Sequence, residues 1–397
     1  MISLFTGAGG LDLGFEKAGF SVVWANEFDK DIWETFEKNH PHTRLCRKSI
    51  CDVAESEIPD CIGIIGGPPC QSWSEGGAKR GLDDERGRLF FEYIRVLKAK
   101  KPFFFLAENV SGMLTERHKD ELANIKEAFT NAGYRLSVTL VNAHHYGVPQ
   151  DRERVLFVGY RNDLGKVFKM PEPIPVAQRK TLRNAIGDLA DVKPGSRKAG
   201  LVPPPENLTV ANHEYMIGGF SSMFMSRNRV RSWDEPAFTV QAGARQSQLH
   251  PSAPKMEKTN DGNFSFAKGH ETEYRRLSVR EAARIQTFPD SMVFCGNRRQ
   301  QGHQVGNAVP PPRNLSVKSR DSGCLTPAKF SPVALTVSSR HVPPADGSKT
   351  ARRYSFSSTT RPSFSNRLQP RMSAGGDGKV LNTKPSNHAV PGRRERQ

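Results

Sequence analysis

The chain has 397 residues, of which 36% are apolar and 25% charged, room for two or three domains and too apolar for a wholly disordered chain. Mean hydropathy is −0.57, no stretch approaches the roughly 18 apolar residues of a membrane helix, and MISLFTGAGG lacks the basic lead-in of a secretory signal. The formal charge of +17 suggests a polyanionic partner, but residues 312–397 hold 16 of the 58 basic and 4 of the 41 acidic residues, a net +12 that leaves the body only +5.

From Met1 to Arg161 the sequence alternates strand and helix patterns. ISLF reads as a strand, GLDLGFEKAGF as an amphipathic helix and SVVWA as a second strand. CIGIIGG is a buried strand running into a loop, FFEYIRVLKAK a helix, and KPFFFLAENV an apolar strand with a polar end. DELANIKEAFTNAGY is a helix closed by Gly133, and RVLFVGY a late strand. This alternation predicts a parallel, doubly wound α/β sheet with helices on both faces and ligands at the carboxyl ends of the strands. From 162 to 290 the pattern turns loop-rich, with a short strand (PAFTVQA), many arginines and one helix (VREAARIQTF), and is expected to form a smaller second domain. Residues 291–311 return to the first domain. The Ser-, Pro- and Arg-rich stretch 312–397 is expected to be a disordered basic tail.

Four clusters lie at expected strand ends. Phe5-Thr6-Gly7-Ala8-Gly9-Gly10 turns from strand to helix, but its spacing is not GxGxxG, so a dinucleotide site is not indicated. Glu27 ends the second strand, where an acid can hydrogen-bond ribose hydroxyls, and Asp52 is placed similarly for an adenine edge. Gly66-Gly67-Pro68-Pro69-Cys70 fixes an unusual backbone before one cysteine, which suits a nucleophile more than a buried hydrophobe. The charged, glycine-bearing stretch after it suits a lid. Glu108 ends the strand FFFLA, partly desolvated and able to hold a base edge. Arg152 and Arg154 alternate with Glu153, so both project on one face, towards a base carbonyl or towards Glu108. A salt-bridged strand end is the plainer reading of that cluster. The six cysteines (46, 51, 61, 70, 295, 324) form no CxxC pair and no metal-ligand spacing, which implies a reduced compartment and no metal.

FTGAGGLDLGFEKAGF, GGPPCQSWS, AENV, QDRERVLFVG, RRLSVREAARIQTFPD and QVGNAVPP occur in this order. Together they resemble the ordered motif set of DNA (cytosine-5)-methyltransferases over Met1 to Pro311. NHEYMIGGFSSMFMSRNRVRSWDEPAFTVQA and RQSQLHPSAPKM are similar to the HaeIII-type enzymes that methylate GGCC. The resemblance implies a Rossmann-like S-adenosylmethionine-binding catalytic domain (1–161, completed by 291–311) and a target recognition domain (162–290). It implies Cys70 as nucleophile on C6 of a flipped-out cytosine in double-stranded DNA, with Glu108, Arg152 and Arg154 around the base. Phe5, Gly7, Gly9, Gly10, Glu27, Asp52, Pro68 and Asn307 would hold the cofactor. Arg227, Arg229 and Arg245 match positions that read guanines, a task suited to the arginine fork. The implied setting is a monomer in the bacterial cytoplasm, associated with the nucleoid. It belongs to a restriction–modification system whose endonuclease shares the site without a stable complex.

Two departures stand out. Residues 312–397 abandon the family pattern, which continues after GNAVP with an apolar helix, so the tail reads as an out-of-frame or fused extension. QAGARQSQ also departs from the usual recognition segment at 242–244. The rival readings are a catalytically impaired DNA-binding relic and a tRNA cytosine-5 methyltransferase.

Overall fold

A computed structural model describes residues 1–69, 85–189 and 200–311. Cys70, the lid stretch behind it as far as Asp84 and the tail 312–397 lie outside the described residues, while the last four residues of that stretch, from Glu85, open a helix. All described residues belong to one compact unit.

Seven strands form the central sheet: β1 (Ile2–Leu4), β2 (Trp24–Asn26), β3 (Arg44–Cys46), β4 (Gly63–Gly66), β5 (Phe104–Val110), β6 (Tyr134–Asn142) and β7 (Glu153–Arg161). Their order is β3-β2-β1-β4-β5-β7-β6. Strands β1 to β5 pair in parallel, and β1, β2, β4 and β5 are buried, which is why they read as short apolar runs, whereas β3 at the edge is exposed to half-buried. The wholly parallel sheet expected from the sequence is corrected at one edge. β7 runs antiparallel to both β5 and β6, because a short connection between β6 and β7 makes them a hairpin.

Helices cover both faces. α1 (Gly10–Lys17) and α2 (Lys30–Asn39) precede the two further helices of this half, α3 (Glu85–Lys100) and α4 (Lys119–Asn131). Tyr93, Leu97, Ile125 and Phe129 of α3 and α4 pack on Phe105 and Phe157, with the Phe105 and Phe129 rings stacked at 4.4 Å. On the opposite face Leu11 and Phe15 of α1 meet Phe104, Leu106, Leu156 and Val158.

The remainder is built from short pieces: α5 (Leu182–Ile186), the hairpin β8 (Gly200–Val202) and β9 (Tyr215–Ile217), α6 (Ser222–Met225), and the hairpin β10 (Glu257–Lys258) and β11 (Phe264–Ser265). Then follow α7 (Val279–Ile285) and α8 (Arg298–Asn307). α7 starts at a capping box in which Ser278 accepts from the Glu281 amide and Glu281 accepts from the Ser278 amide. The strand expected over PAFTVQA does not form. Ala237 alone bridges Gln150, while the amides of Phe238 and Val240 donate to the side chains of Gln248 and Gln150. Glutamine side chains thus take the place of a partner strand.

Ala8 and Leu13 pack with Val279, Ala283, Phe288, Phe294, Val305 and Ala308, so α7 and α8 seal the first strand-to-helix turn. A Cβ on Gly10 would stand 2.3 Å from the Val309 carbonyl oxygen, leaving room only for glycine. Among the described residues no helix is long and apolar enough to cross a membrane.

Candidate active site

β4 and β5 are parallel neighbours, with Gly66 opposite Ala107, so the chain leaving β4 passes beside Glu108. A Cβ on Gly67 would lie 3.2 Å from Glu108 Oε2, and the Asn109 side chain donates to the Pro68 carbonyl at 3.2 Å. The root of the cysteine loop therefore rests against the carboxyl group, although Cys70 itself lies outside the described residues. Arg154 Nε stands 2.8 Å from Glu108 Oε1, joining the strand-end cluster by an ion pair.

Arg152 behaves differently. It is 2% exposed, its Nη2 donates to the Ala308 carbonyl at 3.1 Å, and its Nε and Nη1 have no described partner. Burial, then the like charge of Arg154, pushes this guanidinium well below the ordinary arginine value, against the pull of Glu108. Glu108, Arg152 and Arg154 line one cavity of about 30 Å³, with Leu106 and Val309, so both arginines do share a face. That volume holds about one or two waters.

The first turn is a strained backbone opened by glycine. Phe5 has φ 53°, Gly7 56° and Gly9 77°. Nothing lies within 4 Å of where a Gly7 side chain would begin. Glu27 clamps this turn: its Oε2 accepts from the Gly7 amide at 2.9 Å and its Oε1 from the Asp29 amide at 2.8 Å. Burial pushes its carboxyl up, while these two donors pull the other way. Asp52 is exposed on the 3-10 turn that follows β3, and Asn307 is exposed at the end of α8. Phe28, which the sequence reading passed over, is 71% exposed beside Glu27. An open glycine turn, a carboxylate with spare lone pairs and a bare aromatic ring fit a nucleoside carrying a ribose diol.

Two buried glutamines were also missed. Gln150 Nε2 donates to Gln286 Oε1 at 2.8 Å, and Gln286 Nε2 donates to the carbonyls of Val305 (2.8 Å) and Ala308 (3.3 Å). Because Gln150 Oε1 accepts from Val240 and Ala308 also accepts from Arg152, the amide pair ties segment 237–242 to the arginine. A lone amide in the apolar run RIQTF was the available signal.

Of the three arginines expected to meet DNA, Arg227 and Arg245 are exposed and Arg229 is buried. Arg229 Nε donates to the Phe224 carbonyl at 2.9 Å. Its Nη2 donates to the Met223 carbonyl and to Gln246 Oε1, leaving Nη1 as its remaining donor group. Met223 itself is 70% exposed.

Residues 1–318 match the family model for the C-5 cytosine-specific DNA methylases. The chain is a C-5 cytosine-specific DNA methylase. The methylase is 53% identical over 313 residues to the type II methyltransferase M.FnuDI of Fusobacterium nucleatum, a match covering 78% of this chain and 90% of that one. It is also 53% identical over 314 residues to the type II methyltransferase M.NgoPII of Neisseria gonorrhoeae, covering 78% and 91%. The crystal structure of a Spodoptera frugiperda DNMT2 mutant superposes with a TM-score of 0.56 at 18% identity, over 78% of the methylase and 95% of that chain. This last likeness concerns the fold. The methylase is thus a DNA (cytosine-5)-methyltransferase of type II kind, and its family uses S-adenosylmethionine.

Proposed function

We propose that the chain methylates C5 of a flipped-out cytosine in double-stranded DNA, the inner cytosine of GGCC, through a covalent bond between Cys70 and C6. The observation that carries this reading is the Glu108 carboxyl group, held by Arg154 at 2.8 Å and lying against Gly67 at the root of the Cys70 loop. A stacked base presents neither face to a nucleophile, so the cytosine has to leave the helix. The Cys70 thiolate then adds to C6, and the electron pair of the C5–C6 bond moves towards C5 and the ring. Glu108 hydrogen-bonds N3 and the 4-amino group and so stabilises the electron-rich ring. Arg154 orients Glu108, and Arg152 sets the Ala308 carbonyl beside it. When bound, S-adenosylmethionine supplies the electrophilic methyl group that ends on C5. Loss of the C5 proton to solvent and departure of the thiolate restore the double bond.

Phe5, Gly7, Gly9 and Gly10 would carry the cofactor, with Glu27 on its ribose, Asp52 and Pro68 near the adenine and Asn307 approaching from α8. Residues 1–161 with 291–311 serve as the catalytic part and 162–290 as the recognition part. There Arg227 and Arg245 read guanine edges in the major groove, and Arg229 contributes through Nη1. The setting is a restriction–modification system with an endonuclease of the same specificity.

Plasmid incubated with protein and S-adenosylmethionine is challenged with an endonuclease that cuts unmethylated GGCC, and the same DNA is read by bisulfite sequencing. Protection with 5-methylcytosine at the inner cytosine is expected. Methylation at another sequence would discard GGCC and keep the chemistry. Complete cutting without 5-methylcytosine would favour the impaired relic.

A further inference from the structure

Two adjacent arginines at the start of the α7 region are both buried, yet they are neutralised in opposite ways. Arg275, 2% exposed, forms a two-pronged ion pair with Glu281 at 2.7 and 2.8 Å. Burial pushes the Glu281 carboxyl up, but Arg275 more than reverses this and brings it down to about 2. Arg276 is 1% exposed and has no carboxylate within ion-pair reach among the described residues. Its fork goes to three backbone carbonyls instead: Nε to Arg245 at 3.3 Å, Nη1 to Gly218 at 2.8 Å and Nη2 to Gly219 at 2.8 Å. The guanidinium also lies over the Phe220 ring at 4.1 Å and the Phe224 ring at 5.2 Å.

These partners come from two separate stretches of chain. Gly218 to Arg229 carries α6 and the exposed Arg227, whereas Arg245 belongs to the following 3-10 turn. Arg229 makes a second tie between the same stretches, from the Met223 and Phe224 carbonyls to Gln246 Oε1, with its guanidinium 4.7 Å over the Phe224 ring. Phe224 thus lies beside two cations, one from each tie. A planar fork with five donors in fixed directions serves three carbonyls from two loops at once. A buried cation held by carbonyls alone is a costly way to fill a core, since burial pushes Arg276 down to about 10, as do Arg298 and Arg245 nearby. Arg275 next door shows that a neutralised alternative was available to the same fold.

We propose that Arg276 is a specificity-determining positioning residue: it fixes the separation and register of the stretches that present Arg227 and Arg245, and touches no DNA itself. This rests on the reading of those two arginines as base readers. An error in spacing there weakens the reading of both bases together, whereas the Glu108 cluster and the glycine turn are held by other contacts.

The full-length chain and its Arg276→Lys and Arg276→Met variants are compared. The sequence that the wild type prefers is first taken from bisulfite sequencing of a methylated plasmid, so the test does not depend on GGCC. KM and kcat are then measured on that duplex and on duplexes with one base pair changed, alongside S-adenosylmethionine affinity and the thermal midpoint. The ratio of kcat/KM between preferred and altered duplexes should fall at least about tenfold in both variants, mainly through a raised KM for the preferred duplex, with cofactor affinity unchanged. Lysine keeps the charge but reaches fewer carbonyls, so it also reports if the methionine variant fails to fold. A wild-type ratio in the lysine variant overturns the proposal. So does a drop in thermal midpoint and active fraction that leaves the ratio intact, the mark of a merely structural arginine. A wild type without sequence preference overturns the underlying base-reading assignment instead.

Discussion

Replacing Gln286 by leucine tests whether the buried amide pair is a structural junction. Gln286 is fully buried, and its side chain is engaged at both ends. Leucine matches its bulk but abandons Gln150 Nε2 and the Val305 carbonyl, which sits in the last turn of α8 where helical partners run out. The Ala308 carbonyl keeps Arg152. Two orphaned buried groups at about 2 kcal/mol each, offset by about 1–2 kcal/mol from the extra apolar burial, predict a net loss of about 2–3 kcal/mol. Urea unfolding of wild type and variant, followed by tryptophan fluorescence, reads this directly. Gln150→Leu in the same background removes one orphan, so the double variant should lose less than the sum of the two single losses. A loss below about 1 kcal/mol, or strict additivity, would refute the reasoning.

Three further outcomes are expected. Cys70→Ser should retain DNA and cofactor binding and lose turnover, and near-wild-type turnover would sink the covalent route. Gly306→Ala places a Cβ 2.4 Å from the Ala242 amide nitrogen, so α8 and segment 241–242 must part. Destabilisation of about 1–3 kcal/mol by urea titration is the expected reading, and an unchanged midpoint counts against that contact. His40 lies between Glu16 and Asp12. Burial lowers its pKa, but the Glu16 hydrogen bond and Asp12 outweigh this and leave it raised. A raised histidine contributes stability that is complete below the unfolded value of about 6.5 and is lost as pH climbs through the folded one. The advantage of wild type over His40→Gln in thermal midpoint should therefore shrink from pH 6 to pH 9, and growth over that range would contradict it.

Much of the first half was legible because parallel strands buried on both faces announce themselves as apolar runs. The turns after them, around Gly7, Glu27 and Glu108, stand at carboxyl ends for the same reason. The edge was less legible. Residues 134–142 alternate apolar Leu136, Val138 and Leu140 with polar neighbours, a strand signal easily passed over beside louder ones. α8 is polar along its length, because its buried side is hydrogen-bonded: Gln304 meets Thr35 Oγ1 and the Asp31 carbonyl. No hydrophobic period could announce it. PAFTVQA misled for the opposite reason, its β-like composition being served by Gln150 and Gln248 side chains that no local pattern encodes. Arg229 and Arg276 show that a type of residue does not disclose its partner, since the same fork suits a guanine edge and a loop carbonyl.

The Val309 carbonyl over Gly10 has a consequence in time. The glycine turn emerges among the first residues made, but its cover is added only when the end of the described chain leaves the ribosome. At elongation rates of about 5–20 residues per second that interval is about 15–60 s. Throughout it Gly10, Ala8 and Leu13 lack the later residues that pack on them in the fold, and the glycine turn stands uncovered. A chain cut short before α8 would therefore keep the glycine turn and lose residues that pack on it.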